Sequence, residues 1–215
     1  VITVVTEHPL AEWSPDHIHP KGAATDSTRD AGFNRKLFKL VASPRLLDLG
    51  CAGGGLVASV IEDGGLAVGI DGSDYNQVRG REEWGRHADT FFTADITRPF
   101  TVLEDGRPAV FDVVTAWEVL EHIPEHLLPA VMGNVRRHLA AGGMFICSIS
   151  QQHDPWDGFD YHVTVHPELW WRGWFAGAGW TVRDDLFSHF DPDWVRGPKR
   201  GMDSFNLVLT LEGAA

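Results

Sequence analysis

The stretch Leu46-Leu47-Asp48-Leu49-Gly50-Cys51-Ala52-Gly53-Gly54-Gly55 decides the fold. Arg45 to Leu49 is a short apolar run of strand length, and it stops at Gly50. Leu56 to Ile61 follows as a helix that Gly64 and Gly65 terminate. A strand feeding a helix through a glycine-rich turn lets a ligand approach the backbone where the first helical N–H groups are unsatisfied, the arrangement suited to a nucleotide-like ligand. An ordinary strand-to-helix turn has the same glycines, so the flanking segments must decide.

Working outward, the next strand is Leu66 to Ile70, closed by Asp71 about twenty residues after the loop, where a carboxylate can accept both ribose hydroxyls of an adenosine moiety. A capping role is the plainer account of Asp71. Tyr75 to about His87 reads as a polar amphipathic helix, Thr90 to Thr93 as a strand, and Phe111 to Ala116 as an apolar strand. Pro124 to Leu139 carries an apolar stripe at Leu127, Leu128, Val131, Val135 and Leu139. Ala141-Gly142-Gly143 then turns the chain into a strand at Met144 to Ser148. Strands alternating with helices imply right-handed crossovers and an open parallel sheet. Gln151 to His166 is a loop rich in His, Asp and Trp, and Pro167 to Ala178 is an aromatic helix. The last strands, Thr181 to Phe187 and Ser204 to Leu211, have no long helix between them and are expected as an antiparallel pair at the sheet edge. At the other end, Val1 to Val5 is a possible short strand and His8 to Pro20 an arm without periodicity. A helix is expected to start near Asp26 or Ser27 and to run through Phe33, Leu37, Phe38, Leu40 and Val41 until Pro44 stops it.

The 215 residues include 30 Asp+Glu against 18 Lys+Arg, for a net charge of −12, and 43% are hydrophobic. That composition excludes disordered, collagenous and coiled-coil chains and provides for one sizeable core. The acidic balance argues against nucleic acid and anionic membranes as partners, because both require a basic surface. Cys51 and Cys147 make neither a disulfide framework nor a Cys-rich metal pattern, which suits a reducing, cytoplasmic setting. No stretch approaches the roughly 18 apolar residues of a membrane span, and no targeting segment is expected.

Asp71 and the glycine loop are equally compatible with NAD. Three features separate the readings: Asp48, two positions before Gly50, suits an ammonium group better than a pyrophosphate; Asp95 follows the third strand and can accept from an adenine amino group; and the edge strands form a pair. The motifs LLDLGCAGGG, GIDGS, FFTADI, FDVVTAWEVLEHIPE and AAGGMFICSI, in this order, resemble those of the class I S-adenosylmethionine-dependent methyltransferases from about Phe33 to the C-terminus. The resemblance implies an α/β, Rossmann-like, doubly wound, seven-stranded and mostly parallel sheet with an antiparallel edge strand and helices on both faces. Residues 1–44 would be an arm and lid helix, and 45–215 a single methyltransferase domain. By that match the cofactor lies against Asp48, Gly50, Cys51, Ala52 and Gly54 at its methionine part, Asp71 and Gly72 at the ribose, and Asp95 and Ile96 at the adenine, with Trp117 beside the methyl group. Arg29 is a candidate for the methionine carboxylate, and Phe33 lies in the segment expected to close over the cofactor. Ala52 departs from the family's middle glycine and is tolerable there if its φ is negative.

Methyl transfer from a sulfonium is an in-line displacement, so the protein must align donor and acceptor and deal with the acceptor's proton. Glu118, Glu121 and His122 are spaced i, i+3 and i+4 directly after the fourth strand, where one turn brings them to one side. Two carboxylates and an imidazole can hold a divalent cation, with His153, His162 or His166 as a further ligand. The same residues can instead supply a general base, His122 or His153, with Glu118 beside it. The E-x-x-E-H-x-P segment resembles that of ubiquinone-biosynthesis O-methyltransferases and of HEN-type RNA 2′-O-methyltransferases. It implies Mg²⁺ or Mn²⁺ held by Glu118, Glu121, His122 and His162. Many small-molecule methyltransferases carry a similar segment without metal. Trp156, Phe159, Tyr161, Trp170, Trp171 and Trp174 are candidates for an apolar wall over the acceptor. His87, His126 and His138 fall on helix faces expected to be exposed and receive no role.

The expectation is an S-adenosylmethionine-dependent O-methyltransferase acting on a hydroxyl of a sugar or natural-product scaffold. Metal-independent N- or C-methylation and a non-catalytic partner subunit are the alternatives. A homodimer is compatible with the sequence.

Overall fold

The computed structural model describes residues 1–198, 201 and 203–213. In chain order its elements are β1 (Ile2–Thr6), α1 (Pro15–Ile18), α2 (Gly22–Thr25), α3 (Ala31–Leu40), β2 (Arg45–Leu49), α4 (Gly55–Glu62), β3 (Leu66–Asp71), α5 (Tyr75–Arg79) and β4 (Phe91–Thr93). There follow β5 (Phe100–Glu104), β6 (Arg107–Pro108), β7 (Phe111–Trp117), α6 (Leu128–His138), β8 (Leu139–Ser150), β9 (Pro155–Trp156), β10 (Phe159–Asp160), α7 (Glu168–Gly177), β11 (Trp180–Val182), α8 (Asp184–Phe190) and β12 (Ser204–Leu211).

The main sheet has seven strands in the order β11-β12-β8-β7-β2-β3-β4. Pairing is parallel from β8 through β4, and β12 runs antiparallel to both β8 and β11, so the antiparallel pair closes one edge as expected. The order reverses at β2 and β7, and ligands of such sheets bind in the crevice outside the carboxyl ends of the strands there. Side-chain alternation along the strands divides the core between the two faces. Leu47, Leu49, Val114 and Ala116 face α6 and α7, while Leu46 and Val113 face α3, α4 and α8.

Several expectations need correction. The helix expected from Asp26 or Ser27 begins at Ala31, because Asp30 caps it by accepting from Phe33 N at 2.9 Å. The helix expected from Tyr75 to His87 stops at Arg79, where Gly80 takes a left-handed φ of 54°, and continues as a 3₁₀ turn at Glu82–Gly85. Thr181 to Phe187 is not one strand, since only Trp180–Val182 pairs with β12 and Asp184–Phe190 is helical. Between the strands ending at Thr93 and starting at Phe111, the hairpin β5–β6 pairs with β1 in a separate three-stranded sheet. His138 is buried rather than exposed. Its Nδ1 donates to Asn134 O at 2.8 Å, its Nε2 accepts from Val102 N at 3.0 Å, and it stacks on Phe100. Burial lowers its pKa, in keeping with a neutral imidazole.

Candidate active site

The loop after β2 is tied to the end of β3, where Ile70 O accepts from Gly50 N at 2.8 Å and from Cys51 N at 3.1 Å. Gly50 has φ 71°, and a Cβ there would lie 2.5 Å from a methyl of Val119. Two of the other glycines serve the chain rather than a ligand. Gly53 N donates to Asp26 O at 2.8 Å, and a Cβ on Gly53 or Gly55 would run into the backbone of Asp26 or Ser27. The arm is therefore laid across the loop. Gly54, at φ 87°, packs under Phe91. Ala52 sits at φ 47°, so the condition of a negative φ is not met. This left-handed alanine is held on both sides, by Asp71 Oδ2 accepting its N–H at 2.8 Å and by Trp84 Nε1 donating to its carbonyl at 2.7 Å.

Above the loop is a cavity of about 530 Å³. Of the residues expected at a cofactor, Gly50, Ala52, Asp71, Gly72, Asp95, Ile96 and Trp117 line it. Asp71 Oδ1 also accepts from Ser73 N at 2.8 Å, and burial pushes its pKa up to about 6 against the pull of these amides. Asp95 Oδ1 takes Thr97 N and Oγ1, and its Oδ2 accepts from the indole of Trp13 at 2.9 Å.

Five of the expected cofactor residues lie outside this lining. Asp48 alternates with Leu47 and Leu49 and points to the face of α3 and α4, where Thr115 Oγ1 donates to it at 2.7 Å. Burial pushes its pKa up to about 7 despite that bond, with Asp26 and Asp71 adding to the rise. Cys51 and Gly54 are buried in the turn. Phe33 is core, edge-on to Trp117 at 5.3 Å and stacked on Phe190 at 5.1 Å. Arg29 spans Glu62 and Glu83, at 2.5 and 2.7 Å, on the outer side of α4.

The other half of the cavity is built after β7. Glu118, His122, His153 and His162 line it, and Glu121 is buried behind them. Glu118 N–H still donates to Ser148 O, and its φ of 55° turns the chain before the 3₁₀ turn Leu120–His122. For that reason Glu118 does not join the other three. The ligand atoms of Glu121, His122 and His162 all lie within 4.8 Å of one another. Glu121 Oε1 accepts from Ser150 N at 2.8 Å, while its Oε2 is buried without a partner among the described residues. Burial, with the nearby Glu118 carboxylate, pushes its pKa up to about 8. Glu118 is raised by burial too, against the Ser148 and Ser204 hydroxyls and Arg196. His122 is raised, because Asp16 and the two glutamates outweigh its burial. His162 is lowered by burial and by His122. His153 is two-thirds exposed and pairs with Asp160 at 2.6 Å, and His166 pairs with Glu125 and stacks on Trp170.

Of the aromatics expected as an acceptor wall, Tyr161 lines the cavity and donates to His19 O at 2.9 Å. Trp171 is core, with Trp170 and Trp174 packed against the same cluster, and Trp156 is exposed outside the lining. Sequence reasoning missed Trp13, Asp16, Lys21 and Arg196, which all line the cavity. Ser14-Pro15-Asp16 carries a usable signal, an N-cap serine before proline, and Ser14 Oγ does accept from Asp16 N. The helix that follows has only four residues, too few for periodicity.

A sheet of this order with a cavity at its switch point has the fold expected of a class I methyltransferase. The family model for a methyltransferase domain matches residues 26–192, and the chain belongs to that family. The ubiquinone biosynthesis O-methyltransferase of Idiomarina loihiensis is 33% identical over 116 residues, covering 52% of this chain and 45% of that protein. Its counterpart in Pasteurella multocida is 36% identical over 90 residues, 38% of this chain and 36% of that one. The chain thus spans less than half the length of these relatives. Among solved structures, the 1,6-didemethyltoxoflavin N1-methyltransferase of Burkholderia thailandensis, with S-adenosylhomocysteine bound, superposes with a TM-score of 0.62 at 16% identity, over 94% of this chain and 86% of that one. The magnesium protoporphyrin IX methyltransferase of Synechocystis gives 0.55 at 16%, over 89% and 91%.

Proposed function

We infer that the chain transfers the methyl group of S-adenosylmethionine to a hydroxyl of a small molecule, with a sugar or natural-product scaffold as the favoured acceptor class. The observation that carries this reading is that one cavity joins the glycine loop, Asp71 and Asp95 to the acid–base group of Glu118, His122 and His162. Adenosine binds along the first half, with its ribose at Asp71 and its adenine edge at Asp95, where Trp13 now donates. The sulfonium then faces Trp117 and Glu118. With no cation on His122, an acceptor hydroxyl beside it can pass its proton to the imidazole as the methyl group arrives. Naming of the relatives as O-methyltransferases supports oxygen as the acceptor atom.

Glu121, His122 and His162 fit a divalent cation, since they combine hard and borderline donors with a buried carboxylate oxygen that has no partner among the described residues. A bound Mg²⁺ or Mn²⁺ would lower the pKa of a hydroxyl next to it. The test is calorimetric titration of S-adenosylmethionine into EDTA-treated protein, then of each cation, followed by mass spectrometry of hydroxyl-bearing acceptors incubated with the complex. Glu121→Ala should lose the cation and keep the cofactor; equal cation binding in that variant would remove the metal from the reading. Failure of S-adenosylmethionine to bind would overturn the function.

A second reading, N-methylation, draws on the acidity of the acceptor half, where Asp16, Glu118, Asp154 and Asp203 outnumber Lys21. Methylated amines from an acceptor panel, with no methylated hydroxyls, would establish it instead.

A further inference from the structure

We propose that the Arg196–Asp26 ion pair is the clamp for the amino-acid end of S-adenosylmethionine, with Arg196 taking the carboxylate and Asp26 the ammonium group. The proposal rests on the cofactor reading above and deepens it. The methionine end of the cofactor is a zwitterion, and a cavity that binds it needs a cation and an anion side by side next to the glycine loop. Arg29 cannot serve, because Glu62 and Glu83 hold it outside the cavity. Among the described residues, Lys21 and Arg196 are the lysine and arginine side chains on the lining. Lys21 Nζ is held by both oxygens of Asp154, at 2.8 and 2.7 Å, in the half that contains Tyr161 and His153.

Arg196 is placed differently. Its Nη2 lies 3.0 Å from Asp26 Oδ2. Asp26 is itself fixed to the glycine loop, its carbonyl accepting from Gly53 N at 2.8 Å. On its other side Arg196 is close enough to Glu118 to lower that carboxylate's pKa. The guanidinium therefore bridges the loop and the place where the sulfonium would lie. The side chain lines the cavity and keeps 23% exposure beside Asp26, so part of the fork stays open to a carboxylate oxygen.

The backbone around Arg196 is built to hold this position. Trp194 and Val195 before it are each 2% exposed, inside the cluster of α3, α4 and α8. Asn206 Nδ2 donates to Arg196 O at 3.0 Å, and Gly197, at φ 112°, leaves no room for a Cβ against the Asn206 amide. An arginine anchored on both sides loses little further freedom when it binds a carboxylate.

Calorimetry with S-adenosylmethionine and its decarboxylated analogue, on wild type and on Arg196→Met, tests the clamp as a double-mutant cycle. Wild type should bind the analogue between about tenfold and a hundredfold more weakly, the range for a charged hydrogen bond. Arg196→Met should lose affinity for S-adenosylmethionine by a similar factor, bind the analogue as wild type does, and so abolish the difference. Equal affinities in wild type, or equal losses for both ligands in the variant, would overturn the clamp. Should Arg196→Met fold poorly, the wild-type comparison and Arg196→Lys, expected to retain part of the difference, carry the same decision. Binding of neither ligand to wild type would overturn the cofactor reading itself, and the clamp with it.

Discussion

Nδ1 of His122 lies 2.8 Å from Oδ2 of Asp16 across the roof of the cavity, so a carboxylate from the arm faces an imidazole from the turn after β7. Both side chains are partly buried, at 20% and 30% exposure, which spares the contact some of the screening that weakens surface pairs. The contact joins the arm to the proposed base. Asp16→Asn removes the charge that raises the His122 pKa. The His122 titration, followed by the imidazole carbon-bound protons in NMR, should then move down. An unchanged titration would show that Glu118 and Glu121 alone set its basicity.

Asp71 has two duties that a single alanine substitution would confound. It anchors Ala52 N and Ser73 N, and it is the proposed ribose acceptor. Asp71→Ala should weaken S-adenosylmethionine by at least about tenfold, or 1.4 kcal/mol. Asp71→Asn keeps an oxygen for one amide and should lose less. Wild-type affinity in both variants, measured by calorimetry, would remove Asp71 from the cofactor site.

The left-handed backbone at Ala52 carries a cost that glycine would not have. Strain of a Cβ in this region is about 1 kcal/mol, so Ala52→Gly should be more stable by up to that amount, offset in part by the greater chain entropy of glycine. For a domain of this size the gain corresponds to about 2–4 °C in Tm. A lower Tm would mean that the alanine methyl packs productively.

The sheet was legible because its central strands are short, mostly apolar runs bounded by glycine or a carboxylate, as at Leu46–Gly50, where Asp48 is the one polar member, and at Leu66–Asp71. Asp71, Asp95, Glu118 and His122 stood out as candidates because they lie at or shortly after strand ends, which define the crevice, and all four line the cavity. Arg29 and Phe33 were misplaced for a physical reason. Both belong to the segment that crosses the loop, but the cap at Asp30 sets the helix so that Phe33 turns inward to Trp117 and Phe190, while Arg29 is left on the far side with Glu62 and Glu83. Asp16, Lys21 and Arg196 come from segments without periodicity, and their positions depend on contacts across more than a hundred residues of chain, such as Lys21 with Asp154 and Arg196 with Asp26. No local pattern encodes such contacts.

Glu121 supplies a test of the buried acid–base group by pH alone. Its pKa of about 8, raised by burial and by Glu118 and countered by His122, lies well above the value of about 4.3 expected in the unfolded chain. Between those two values the folded state binds more protons than the unfolded state, so the contribution of Glu121 to stability falls as pH rises and levels off above about 8. Glu121→Gln cannot titrate, yet its amide oxygen can still accept from Ser150 N. The stability of wild type relative to Glu121→Gln, from chemical denaturation at a series of pH values, should therefore decline from pH 5 to pH 8 and be flat beyond. The raised carboxyls of Asp48 and Asp71 are present in both proteins and cancel in the difference. A difference independent of pH would mean that Glu121 is ionised throughout. A cation between Glu121, His122 and His162 would favour the ionised form, so adding Mn²⁺ to the wild type should flatten the decline and leave the variant unaffected.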